Sequence, residues 1–226
     1  MFFDPLWLMV ILVSTGIGFA TQGYINSTFR KWSQVPIGTG LSGAEVARRV
    51  LDANGLQNVP VQAVAGNLTD HYDPRSRTLA LSASVYGQPT VAAAGVAAHE
   101  AGHAIQHSQN YVWGSVRTAI VPAVNIGSKF AFPAILLGVW LQLASLAWIG
   151  VLFYAGAVLF QVVTLPVEFD ASKRALGALS TSGAMSPEQV AGARQVLTAA
   201  ALTYVGAALI SVIQLLYFIG LARRSD

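Results

Sequence analysis

The sequence predicts a predominantly α-helical, multi-pass membrane protein with four transmembrane helices and one small extramembrane region containing a β-hairpin. Three observations carry that reading. Hydrophobic residues make up 54% of the chain and charged ones 10%, against about 25% charged in an ordinary soluble domain. Long stretches lack Asp, Glu, Lys and Arg altogether, the longest running from Phe130 to Val167, and about twenty apolar residues suffice for one helical crossing. Between these stretches lies a segment punctuated by helix caps and short β-prone runs, enough for a single modest domain outside the bilayer.

Pro5 to Phe29 is uncharged and predicts the first crossing over 5–27. Asp4 is the only charge ahead of it, so the basic start of a cleaved signal peptide is lacking. Arg30, Lys31 and Trp32 close it as a basic, aromatic cytoplasmic edge would. The extramembrane region is expected over 28–118. There Ser42-Gly43-Ala44-Glu45 has the form of a capping box, followed by Val46, Val50 and Leu51 on one stripe, and Asn54-Gly55 ends the helix. VPVQAVAG (59–66) and TLALSASVYG (78–87) are β-prone runs around an Asp73-Pro74 turn, read as a small hairpin. In that hairpin, 78–84 is expected to offer an edge to which an extended peptide adds as a strand.

The uncharged run after Phe130 is too long for one crossing and matches two, over 127–145 and 147–166, with the turn within 142–150. A polar region over 167–194 follows. It contains a second helix start at Ser186-Pro187-Glu188-Gln189, and the last crossing is expected over 197–221. The spans are read as free of ionisable groups, which speaks against a transporter.

The chemistry is concentrated in Val91–His107, VAAAGVAAHEAGHAIQH, on a helix expected over 89–108. It contains His99-Glu100-Ala101-Gly102-His103, the H-E-x-x-H pattern. Residues four apart on a helix are rotated by about 40°, so His99 and His103 can share one metal ion. Glu100 is then placed as general base toward an attacking water. The chain has no cysteine, which leaves imidazole and carboxylate ligands, the set used by catalytic zinc. One Zn2+ is the expected cofactor, and 28–118 is expected to form a zincin-like metallopeptidase domain.

Catalytic zinc takes three protein ligands. Of the glutamates 45, 100, 168 and 188, Glu45 and Glu188 cap helices and Glu100 is the base, which leaves Glu168 as the third ligand. Ala171, Ser172 and Ala175 give its helix a small-residue face for close approach to the metal helix. Topology agrees, because two crossings between 130 and 167 return Glu168 to the side of His99, whereas one would not. Asp170, rotated about 200° from Glu168, and His107, one turn past His103, are the alternatives. His107 is read as a partner of a ligand or a surface residue. His71, with Tyr72 on the hairpin turn, is a candidate donor to the reaction's oxyanion. Gln106 and Gln109 stand where a metzincin needs Gly and His.

AAHEAGHAIQH, LPVEFDAS (165–172) and ALTYVGAAL (201–209) resemble the YugP-like family of bacterial membrane zinc metallopeptidases, and the likeness covers essentially the whole chain. The resemblance implies a neutral zinc metallopeptidase with His99, His103 and Glu168 as ligands and Glu100 as base. More distantly, the chain is similar to membrane gluzincins of the HtpX and CaaX-prenyl-protease type. Their third ligand lies in an E-x-x-x-D pattern. Here Ser172 occupies the Asp position, which leaves the partner of the histidines unassigned.

Arg30, Lys31, Arg117, Lys173 and Arg174 flank the site, which under the positive-inside rule faces the cytoplasm from the plasma (inner) membrane; Arg223 and Arg224 count the other way. The expected partners are the lipid bilayer and a membrane-associated protein or peptide substrate. A net charge of +3, without a basic cluster interleaved with aromatics, excludes a nucleic-acid binder. The rival reading is a non-proteolytic zinc-binding membrane scaffold or accessory subunit, which has no need of Glu100 beside its ligands.

Overall fold

A computed structural model describes residues 4–224. Among them the chain forms α1 (Pro5–Trp32), α2 (Gly43–Ala53), β1 (Val61–Val64), β2 (His71–Asp73), β3 (Thr78–Ser82), α3 (Val91–Ser108), α4 (Val112–Trp140), α5 (Ala144–Thr181) and α6 (Pro187–Arg223). Two compact units divide the chain. One takes residues up to 22, 115–165 and from 203 onward; the other takes 23–114 and 166–202. The helices α1, α4, α5 and α6 are each long and apolar enough to cross a membrane.

The first unit is all helix. Large apolar side chains stand outward on it, with Leu12 72%, Phe19 76%, Trp140 74% and Leu152 70% exposed, a distribution suited to lipid and costly in water. The α4–α5 hairpin closes through glycines: a Cβ on Gly150 would come 2.6 Å from the Ile135 nitrogen and 2.7 Å from the Ala131 oxygen. Small residues of this kind let transmembrane backbones approach. Ile135, Ala147, Val151, Phe218 and Ala222 form its buried core, and Trp7 stacks on Tyr217 at 4.8 Å.

The connection between the two central crossings is shorter than expected. It occupies only Leu141–Leu143, where Gln142 takes φ 56°, and α5 begins at Ala144. Two further expectations are corrected here. The helix α4 starts at Val112, so Lys129 lies inside it, exposed, two residues beyond Gly127. A Cβ on Gly127 would meet the Phe153 ring at 3.6 Å, near the middle of the uncharged run of α5. The spans are therefore not free of ionisable groups. The region 167–194 is also not a separate polar segment, because α5 continues unbroken through Pro166 to Thr181.

The second unit packs α2, α3 and parts of the long helices around a three-stranded sheet. The Ser42–Glu45 capping box forms as expected: Glu45 N donates to Ser42 Oγ at 3.3 Å and Ser42 N to Glu45 Oε2 at 2.8 Å. The sheet differs from the expected hairpin. Its order is β1-β3-β2, with β1 parallel to β3 and β2 antiparallel to it. The tight turn joins β2 to β3, with Arg77 at φ 53° and the Asp73 carboxylate accepting from Arg75 N and Ser76 N. The 59–66 and 78–87 runs are thus neighbours but run the same way. Because β3 is paired on both sides, it has no edge to offer a peptide, and the role expected of 78–84 is lost. Leu79, Ala80, Leu81 and Ser82 are all buried, as befits a central strand covered on both faces.

Six alanines of α3 (93, 94, 97, 98, 101 and 104) join α2 and β3 in the core. Their small side chains leave room for backbone approach, and Gly102 uses it most fully: a Cβ there would lie 2.6 Å from the Ala171 carbonyl oxygen. The helices α3 and α5 therefore touch backbone to backbone at the H-E-x-x-H motif. Ala171 and Ala175 are fully buried on the facing side, so the small-residue face read beside Glu168 is the contact surface.

Candidate metal centre

Thr90 caps α3, its hydroxyl accepting from Ala93 N at 3.3 Å, and the helix carries both histidines to the contact with α5. Their rings meet edge to face with centroids 4.7 Å apart. Nε2 of His99 lies 3.3 Å, and Nε2 of His103 3.5 Å, from the same oxygen, Oε2 of Glu168. The three donor atoms lie within 4.8 Å of one another, and His99, His103 and Glu168 are the single group of this kind among the described residues.

This donor set fits zinc. Bonds of about 2.0–2.1 Å in a tetrahedron put neighbouring donors about 3.3–3.4 Å apart, close to both His–Glu separations. Burial opposes ionisation of Glu168, but hydrogen bonds from His103 and His99 outweigh it and hold the carboxyl well below the ordinary carboxylate range. Burial likewise opposes protonation of His103, and the neighbouring carboxylates of Glu168 and Glu100 outweigh it and raise its pKa. The centre thus presents a negative oxygen between two imidazoles, the charge pattern a cation requires. Glu100 is buried beside them on α3.

The far ring nitrogens are also held. Nδ1 of His99 meets Ser172 Oγ at 3.1 Å, and Nδ1 of His103 meets Gln106 Oε1 at 3.0 Å. Sequence reasoning named neither partner. Gln106 lies three residues beyond His103 on one helix face, and Ser172 four beyond Glu168, so helical spacing could have found both.

The remaining candidates lie apart from the group. Asp170 points away from it, as its rotation implied, and its carboxylate accepts from Gln106 and pairs with Arg174. His107 is neither a partner of a ligand nor a free surface residue; its Nδ1 meets the Tyr72 hydroxyl at 2.9 Å. His71 lies on strand β2 rather than on a turn, exposed, with Nδ1 donating to the Thr69 carbonyl at 2.8 Å.

Comparison with known proteins agrees with this chemistry. Residues 7–223 match the family described as "Putative neutral zinc metallopeptidase". The chain is similar to the "Putative membrane protease YugP" of Bacillus subtilis (strain 168), with 44% identity over 214 residues that cover 95% of each chain. No solved structure matches.

Proposed function

Because the chain belongs to this family of neutral zinc metallopeptidases, we propose that it is a membrane-bound zinc endopeptidase acting on membrane-associated proteins or peptides. The observation that carries the reading is the meeting of two imidazole nitrogens on one Glu168 oxygen, at 3.3 and 3.5 Å. It joins residues 69 positions apart in sequence around the charge and spacing of a zinc site.

His99, His103 and Glu168 hold the metal. When bound, zinc lowers the pKa of water to about 7 and polarises a substrate carbonyl. Glu100 accepts the proton of the attacking water on its carboxylate and delivers it to the nitrogen of the departing amine, so the peptide bond breaks with no net change at the enzyme. His71 on the exposed strand β2 is assigned to steadying the oxyanion. Arg30, Lys31, Lys173 and Arg174 flank the motif region, which supports a cytoplasmic active site at the plasma membrane.

Metal analysis of the purified protein, paired with cleavage of casein or a membrane peptide, tests the reading. Wild type should hold one zinc, Glu168→Ala should lose it, and Glu100→Gln should keep it while cleavage falls by about a hundredfold or more. Zinc retained in Glu168→Ala would remove the third ligand and return Asp170 and His107 to consideration. Full function in Glu100→Gln would favour the non-proteolytic scaffold.

A further inference from the structure

The two histidines are wired differently, and the difference lies behind them. A serine hydroxyl can donate or accept, so Ser172 leaves His99 free to carry its proton on either nitrogen. Gln106 does not leave that freedom to His103. Its amide nitrogen donates to two acceptors at once, the Val167 carbonyl at 2.8 Å and Asp170 Oδ2 at 2.9 Å. Turning the amide over would aim its oxygen at a carbonyl and a carboxylate, neither of which can donate. Gln106 Oε1 must therefore face His103 Nδ1, and an oxygen acceptor there requires Nδ1 to carry the hydrogen. The lone pair of His103 is left on Nε2, the atom directed at Glu168.

Asp170 is itself held. Arg174 Nε lies 2.5 Å from the same Oδ2, and Arg174 Nη1 reaches Gln109 Oε1 at 2.5 Å, back on the end of α3. The Arg174 guanidinium also lies over the Tyr111 ring at 5.7 Å. Gln106 is 3% exposed, so no water competes freely for its amide.

We propose that Gln106 is a positioning residue that locks His103 in its Nδ1–H tautomer, and that Asp170, anchored by Arg174, sets the lock by orienting the Gln106 amide. The inference rests on the zinc reading above. It gives Asp170 a task the ligand search did not: to prepare a zinc ligand from two residues away. Orienting partners of this kind are typically worth tenfold to a hundredfold in metal affinity.

The test is zinc affinity of full-length protein in lipid nanodiscs, stripped with chelator and titrated against a chromophoric competitor. Gln106→Met keeps the shape and removes the acceptor, and should weaken zinc by about tenfold to a hundredfold. Gln106→Glu keeps an oxygen toward Nδ1 and should stay within about threefold of wild type, since the acceptor is what matters. Asp170→Ala, at a partly exposed position, leaves Gln106 in place but unoriented, and should lose an intermediate factor.

Equal affinity in wild type and Gln106→Met overturns the inference while leaving the zinc reading intact. Equal losses in the Met and Glu variants also overturn it, because the side chain would then matter only as filler. If Gln106→Met does not fold, Asp170→Ala decides: weakened zinc supports the lock and wild-type affinity refutes it. A wild type that takes up no zinc refutes the zinc reading itself and is thereby told apart from these outcomes.

Discussion

At the scale of single residues, most of the centre was readable because helical geometry leaves few choices. His99 and His103 had to share a face, and Glu168 was reached by giving each other glutamate a job that the structure bears out for Glu45. What could not be read was the side-chain wiring behind the ligands, since hydrogen bonds from Gln106 and Ser172 depend on rotamers and on the helix packed opposite. His71 is where sequence and structure part most clearly on environment, a strand replacing the expected turn. Its proposed task touches the transition state and not the metal. His71→Ala should therefore lower kcat about tenfold to a hundredfold with zinc content unchanged. A steady-state comparison checks it, and an unchanged kcat would remove His71 from the mechanism.

At the scale of elements, the helices were legible and the sheet was not. Uncharged runs and caps are strong local signals, whereas strand pairing depends on partners far away in sequence. The two richest β-prone runs were joined as a hairpin. The three residues His71–Asp73, too short to advertise a strand, are the ones that pair with β3 across the tight turn. The contact of α3 with α5 was foreseeable from small residues on both sides, and its tightness makes it testable. Gly102→Ala sets a methyl 2.6 Å from the Ala171 oxygen, a backbone atom that cannot rotate aside. The helices must separate, at a cost of about 1–3 kcal/mol for overpacking. Because Glu168 lies three residues before Ala171, the same separation pulls one ligand from the other two. The expected outcome is a lowered melting temperature together with weakened zinc binding, followed by calorimetry and metal titration. A variant as stable and as zinc-replete as wild type would mean that the close approach does not hold the centre together.

At the scale of the whole molecule, crossing number and ligand geometry constrain one another. The long uncharged run resolves into α4 and α5 around a three-residue turn, and the even count of crossings lets residues 99 and 168 belong to one compact unit. Which side that unit faces depends on charge. Arg30, Lys31, Lys173 and Arg174 lie in it, while Arg224 at the other end of the sequence pairs with Asp4 at 3.4 Å. Acidic residues contribute little to the positive-inside rule, so this pair does not cancel the arginines, and orientation calls for a direct measurement. The chain contains no cysteine, so a single introduced thiol reports without background. Leu143→Cys, exposed in the α4–α5 turn, and Gln57→Cys, exposed after α2, sample the two ends. With the active site in the cytoplasm, a membrane-impermeant maleimide added to intact cells should label position 143 and leave position 57 unlabelled until the membrane is opened. The reverse pattern would place catalysis outside, where exported proteins rather than cytoplasmic segments of membrane proteins would be within its reach.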